Sequence, residues 1–450
     1  MAIETQARKD KMNQGPSQTV EPAAEPESAS KGGGWLLLRT RDFGLLFWGQ
    51  LTSQIGDSLS KVALLWFVYQ MTGSALKMAV IGLLQTVPPL VLGPVIGVYL
   101  DRLPTKTTMI VVDLLRAVLV MLIPGLYALD LLTLERLYVL VFCVAVVSMI
   151  FGPALASAVP QIVRREQLTS ANALLQGTAN IGVLIGPAIS GLGIVLIGAQ
   201  NVLYVDAATF LVSALCLMPI RMRIRAAADP VSEAKRSFRE DLLAGFRFVF
   251  IQHRTITALM LTATLYSLGV SAFVFMLPVF AEQALNVGPL ELGWLWSSLG
   301  IGMLAGSAWL ASRKHQATAN GFKMISSSMT VGGVAVCGLS MLPTPLVATG
   351  LIVIIGGSTA LFMPIVWGVL QELTPEPLLG RVFTTFSTGG MASAMAGMAG
   401  FGWAADTMGP GICLVGIGLV LLVTACVAAG CSRVHYPAGD RKQEGEALAA

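Results

Sequence analysis

Apolar runs long enough to cross a lipid bilayer follow one another from Phe43 to Cys431, and that succession restricts the fold more than any other feature. A hydrocarbon layer about 30 Å thick takes about 20 apolar residues in helical form. Only a helix or a closed barrel satisfies its backbone there, because no water is available to do so. The runs fall at 43–70, 75–100, 107–129, 136–161, 171–198, 202–220, 255–284, 289–312, 321–342, 345–371, 382–405 and 411–431. They make twelve spans, six on each side of a polar stretch. Charged side chains are 12% of the 450 residues, about half the share of a soluble domain. The mean hydropathy of +0.74 likewise excludes a water-soluble globule, whose interior is too small for so much apolar surface. The expected fold is all-α integral membrane, with twelve transmembrane helices in two pseudo-symmetric six-helix bundles.

The divisions follow from composition. Residues 1–41 are an N-terminal tail rich in Glu, Pro, Ser and Gln, a composition that stays disordered. Residues 42–220 form the first bundle, 221–254 a linker, 255–431 the second bundle and 432–450 a second tail. In the linker Phe238, Leu242, Phe246 and Phe250 recur every four residues between Arg236, Arg239, Glu240 and Arg247, the pattern of an amphipathic helix lying on a membrane surface. With both termini on one side, that side collects 25 of the 29 Lys and Arg, so both tails are expected in the cytoplasm.

An internal repeat supports the division. Displacing the second half by 211 residues aligns Phe151 with Phe362, Pro153 with Pro364, Leu168 with Leu379, Gly186 with Gly397, Gly191 with Gly402 and Gly198 with Gly409. These identities cover the fourth and fifth spans against the tenth and eleventh. Paired halves are the architecture of transporters that rock around a midplane site.

Several chemistries lack their residues. The six cysteines lie in apolar runs without a C-x-x-C pair, and the three histidines lie in connectors or the tail. No metal cluster, nucleotide-binding glycine loop or catalytic triad is present. The expectation is no enzyme, no cofactor, no metal and no nucleic-acid partner. Energy must then come from an ion gradient or from the solute's own gradient.

Charges inside spans are costly and usually face a bundle interior or an aqueous cavity. Asp57 and Lys61 lie one helical turn apart in the first span, a spacing that lets them pair. Two readings stand: Asp57 is a proton acceptor that governs which side the cavity faces, or the two form a permanent structural ion pair. Asp113 and Arg116 sit three apart in the third span, nearer the cytoplasm, and are expected to join the charges of the turn at Asp101 and Arg102. Gln50, Gln54, Gln85, Gln176, Asn180, Tyr266, Trp294, Trp296 and Trp367 are polar or aromatic residues suited to line a cavity. Few charges and several aromatics suit a bulky, partly apolar solute. The same residues also suit packing or, for Trp294 and Trp296, interfacial anchoring.

The turn after the second span reads Gly97-Val98-Tyr99-Leu100-Asp101-Arg102-Leu103-Pro104-Thr105-Lys106. It resembles the major facilitator superfamily signature G-x-x-x-D-R-x-G-R-R/K. Gly97, Asp101, Arg102 and Lys106 fit, whereas Pro104 and Thr105 replace the usual Gly and first basic residue. Further likeness lies in Ser53-Gln54-Ile55-Gly56-Asp57, Thr72-Gly73-Ser74-Ala75, Pro153-Ala154-Leu155, Leu168-Thr169-Ser170-Ala171-Asn172-Ala173-Leu174, Gly186-Pro187-Ala188-Ile189-Ser190-Gly191 and Gly380-Arg381-Val382-Phe383. Together these resemble the bacterial branch that includes enterobactin and macrolide exporters.

The resemblance implies roles. A helix N-terminus attracts negative charge, so Asp101 is suited to dock at the start of the eleventh span near Arg381. In the family the corresponding acid latches the cytoplasmic side when the cavity faces out. The second copy of the motif has decayed to Arg313 and Lys314, with Glu166 as an acid across the pseudo-symmetric contact. Gly182, Gly186, Pro187 and Gly191 resemble the Gly-Pro signature of antiporters. Ser190 replaces one of its glycines, and the fourth span lacks the arginine that many proton antiporters carry.

The expected protein is a single-subunit secondary transporter in a bacterial cytoplasmic membrane. It exports an amphipathic small molecule, such as a drug, siderophore or other secondary metabolite, in exchange for protons. Import or lipid handling on the same fold, and a non-transporting scaffold or sensor, remain as alternatives.

Overall fold

The computed structural model describes residues 36–100, 103–164, 167–222, 254–312, 317–341, 344–374 and 379–431. The linker helix expected within 221–254 and most of both tails lie outside these residues. Of the first tail, residues 36–40 are described, and Leu37 is buried beside Phe43 and Leu46.

The described chain is helical throughout. The first half contains α1 (Arg41–Thr72), α2 (Ala75–Leu100), α3 (Thr105–Ala128), α4 (Leu134–Ser148), α5 (Phe151–Ile162), α6 (Leu168–Ile197) and α7 (Ala199–Leu217). The second contains α8 (Arg254–Gln283), α9 (Pro289–Ser312), α10 (Ala317–Met341), α11 (Pro345–Ala360), α12 (Phe362–Leu373), α13 (Leu379–Met408) and α14 (Pro410–Cys431). The pairs α4–α5 and α11–α12 are single crossings interrupted near the middle, at Met149–Ile150 and at Leu361. Fourteen segments thus make twelve crossings. Nine of these are long and apolar enough to span a bilayer on those grounds alone. The other three, α1, α9 and α13, have 24 residues or more, sufficient in length.

The repeat positions occupy equivalent places. Phe151 and Phe362 begin the second segment of each broken crossing, and Leu168 and Leu379 begin α6 and α13. Gly198 and Gly409 join the next helix pair with φ of 88° and 83°, a region glycine enters without steric cost. Gly186 packs on α1, where an added Cβ would lie 2.5 Å from Ser58 Cβ, and Gly397 packs on the backbone of Leu268 in α8. In the same way α1 packs on α6 and α7, and α8 on α13 and α14.

The halves meet through α6 against α9 and α2 against α13. We call the end with the α1–α2 and α8–α9 turns outer, and the end nearer the termini inner. One buried apolar cluster runs through both halves and includes Leu65, Met78, Phe280 and Leu292. A second cluster at the inner end, with Phe43, Phe47, Met109 and Phe151, contains first-half residues alone among the described residues. The molecule is closed by shared core at its outer end.

Candidate functional site

A cavity of about 390 Å³ lies within the first half, lined by side chains of α1, α2, α3, α4 and α7. Its walls are mostly apolar, including Leu64, Val120, Ile123, Val141 and Phe210. Into it project Asp57, Ser60 and Lys61 of α1, Gln85 of α2, Arg116 of α3 and Asp206 of α7. The volume and the small number of convergent polar groups are those of a small-molecule site.

Arg116 organises the charges. Its Nη2 donates to Asp57 Oδ1 at 2.5 Å, and its Nη1 lies 3.8 Å from Asp113 Oδ1. The guanidinium centre sits 3.9 Å from the Phe210 ring centroid and 6.0 Å from that of Phe151, where the ring faces favour a cation. Asp113 is fully buried, whereas the Asp57 side chain keeps 38% of its exposure. One guanidinium therefore serves two carboxylates, one of them accessible from the cavity.

This arrangement corrects one expectation. Asp57 does not pair with Lys61; among the described residues its ion pair is with Arg116, fifty-nine positions away. Lys61 instead directs Nζ towards Trp296 of α9, 5.6 Å from the ring centroid, and has no ion pair among the described residues. The i, i+4 spacing permits a pair along one helix, but the bidentate-capable fork of Arg116 reaches Asp57 from α3. Arg116 and Asp113 join Asp57; the network expected at Asp101 and Arg102 falls on two residues outside the described part.

Asp206 is a cavity residue that the sequence reading omits. It is buried to 2%, lies in the cavity wall, and has Thr209 Oγ1 3.4 Å away. Its signal is plain in retrospect: an acid inside a span. It also gives Gly56 a reason. A Cβ at Gly56 would collide with Thr209 and lie 2.6 Å from Asp206 Oδ1, so the glycine lets α7 approach α1.

The remaining expected cavity residues divide. Gln85 lines the cavity. Gln176 and Asn180 are exposed on α6 and stand apart from it, while Gln54 is half-buried with its carbonyl against Gly182. Tyr266 is a packing residue: its ring stacks on Phe362 at 3.9 Å and its hydroxyl donates to the Thr359 carbonyl at 3.1 Å. Trp367 stacks on Phe383 at 4.5 Å, also away from this cavity. Trp294 is exposed at the outer end of α9, as an interfacial anchor would be, but Trp296 is buried beneath Lys61.

Of the expected cytoplasmic latch, Gly97 lies near the inner end of α2 and Arg381 in the first turn of α13. Lys106 is turned inward to its own half, donating from Nζ to the Met218 carbonyl at 2.5 Å beyond the end of α7; a cation there complements the helix C-terminus.

The glycines of α6 do two different jobs. Gly182 and Gly186 fit against α1, where an added Cβ would lie 2.6 Å from the Gln54 carbonyl oxygen and 3.2 Å from that of Ile55. Gly191 fits against α9 of the other half, 2.6 Å from the Pro289 carbonyl oxygen and 3.1 Å from Gly293 Cα. Pro187 lies within α6, and Ser190 donates to the Leu59 carbonyl at 2.7 Å.

Two helical halves of six crossings, with a charged cavity among membrane-buried helices, define a multi-pass membrane transporter. Residues 32–446 match the family described as transmembrane secretion effector, and the chain belongs to that family within the major facilitator superfamily. It is 28% identical over 395 residues to the multidrug efflux pump Tap of Mycolicibacterium fortuitum, covering 85% of this chain and 94% of that pump. It is 26% identical over 360 residues to macrolide efflux protein A of Streptococcus pyogenes, covering 76% of this chain and 84% of that protein. In fold it is similar to a bacterial homologue of the iron transporter ferroportin in its inward-facing state. That match has a TM-score of 0.70, 16% identity, and covers 87% of this chain and 99% of the other.

Proposed function

We propose that this protein exports amphipathic small molecules of the drug or secondary-metabolite class across a bacterial cytoplasmic membrane, by alternating access and in exchange for protons. Both termini then lie in the cytoplasm, and the outer end faces away from it. The observation that carries the reading is the cavity: largely apolar walls around Asp57, Lys61, Arg116 and Asp206, in a molecule closed at the opposite end from its tails. The names of the related efflux pumps support the direction of transport.

Asp57 is the coupling group in this scheme. It is the carboxylate that is both accessible from the cavity and bonded to Arg116. A proton taken up at the outer face neutralises it and loosens that bond. On return to the inner face the proton leaves, and the Asp57–Arg116 pair re-forms. A potential of about 100 mV supplies about 2.3 kcal/mol for each charge carried inward.

The test is accumulation of hydrophobic cationic dyes and macrolides in cells expressing the protein, with and without an uncoupler. Wild type should exclude at least one compound in an uncoupler-sensitive way, and Asp57→Asn should lose the response to a pH gradient. An unchanged gradient response in Asp57→Asn would remove it as the proton site.

A further inference from the structure

The segment Thr72-Gly73-Ser74-Ala75 carries the turn between α1 and α2 at the outer end. Gly73, at φ 63°, closes α1 by donating its N–H to the Tyr69 carbonyl at 2.7 Å. Helix α2 starts at once, and its first amides have no acceptor within the helix. Ser74 Oγ accepts one of them, Lys77 N–H, at 3.2 Å. Two others are taken by a residue of the opposite half. Asp406, in the last turn of α13, accepts Ala75 N–H on Oδ1 at 2.6 Å and Leu76 N–H on Oδ2 at 3.2 Å. The Ser74 hydroxyl also donates to Asp406 Oδ2. One carboxylate thus caps a helix that belongs to the other bundle, using charge-assisted bonds and the positive end of the helix dipole.

The contact sits where the halves are closed. One turn earlier on α13, Gly402 lies against α2, so that an added Cβ would be 3.2 Å from Leu76 Cα. At the same end Gln283 of α8 donates to the Tyr69 hydroxyl of α1 at 2.8 Å. Helices α2 and α13 are antiparallel partners across the interface. At the inner end the family resemblance implies the reverse relation, with Asp101 suited to dock at the start of α13; Asp101 itself lies outside the described residues.

We propose that Asp406 is a working residue of the transport cycle, the outer latch that alternates with Asp101. The proposal rests on the alternating-access reading above. If the halves rock about the membrane midplane, bringing the outer ends together separates the inner ends. Asp406 then caps α2 only when the outside is shut, and Asp101 caps α13 only when the inside is shut. Exchanging one cap for an equivalent one keeps the two states close in energy, as a cycle that must pass through both requires. The donors to the carboxylate are backbone amides and the Ser74 hydroxyl, so the outer latch needs no cation of its own.

Hydrogen exchange followed by mass spectrometry on the full-length protein in lipid nanodiscs tests this. Residues 286–296 report on outer closure, because the start of α9 packs on α6 and not on the Asp406 cap. Asp406→Asn should accelerate exchange at 74–80 and also, by about tenfold, at 286–296, whereas Asp101→Asn should slow it at 286–296. Ser74→Ala, which keeps the carboxylate, should move 286–296 in the same direction as Asp406→Asn by a smaller factor, and it decides the matter if Asp406→Asn does not fold. Faster exchange confined to 74–80 would make Asp406 a local helix cap and overturn the proposal. A response at 286–296 to Asp101→Asn alone overturns the latch but leaves rocking in place; no response to any variant overturns both.

Discussion

Replacing Gly191 by alanine should move the transporter between states rather than unfold it. In the closed outer end the new methyl would lie 2.6 Å from the Pro289 carbonyl oxygen, 3.1 Å from the Leu290 carbonyl oxygen and 3.1 Å from Gly293 Cα. All three are backbone atoms, so no side chain can rotate out of the way and the helices must separate. Overpacking of this kind costs about 1–3 kcal/mol, and 1.4 kcal/mol is a factor of about ten in an equilibrium. The cost falls only on the state in which α6 touches α9. The ratio of outer-closed to outer-open molecules should therefore drop by about 5- to 150-fold. Gly186→Ala is the control. Its neighbours, Ser58 Cβ at 2.5 Å and the Ile55 carbonyl oxygen at 3.2 Å, belong to its own half and stay in place in either state. It should lower the unfolding temperature and leave the ratio alone. Spin labels at Leu131 and Leu346, exposed beside outer turns of opposite halves, in a chain freed of its native cysteines, read the ratio through pulsed electron-resonance distances. An unchanged distance distribution in Gly191→Ala, with the same thermal loss as Gly186→Ala, would show that the α6–α9 contact is permanent and refute the reasoning.

Removing Arg116 should be damaging on its own and less so together with a carboxylate. Arg116→Ala leaves Asp57 and the fully buried Asp113 without their cation, at a cost of about 3–5 kcal/mol; thermal unfolding should show that loss, and Asp113→Asn added to it should restore part. Equal stability of single and double variants would mean the carboxylates do not depend on Arg116. Asp101→Ala should impair export of a dye that wild type excludes, while membrane insertion, followed by surface labelling and yield, stays normal. Wild-type export rates would dismiss Asp101 as a latch.

What could be read from the chain alone depended on whether the relevant partner lies along one helix or on another. Span lengths follow from apolar runs, and the displacement by 211 residues finds places with the same physical task in each half. Gly198 and Gly409 turn the chain at positive φ, and Gly191 and Gly402 press against the opposite half. Such residues recur because one architecture imposes one constraint twice. The charged site is different. Asp57 and Lys61 have the spacing of a pair, yet Arg116 takes Asp57 and Lys61 turns to Trp296 of the other half. Tyr266 and Trp367 look like cavity aromatics, yet both stack on neighbouring phenylalanines. Asp406 shows nothing unusual near the end of its span until Ser74, Ala75 and Leu76, more than 300 positions earlier, come to its carboxylate. A helix displays the side chains it can offer and the face it can bury, and its sequence carries those well. Which offer is taken up depends on the helices packed beside it. In a transporter that choice changes during the cycle, so one set of residues must be compatible with two sets of partners.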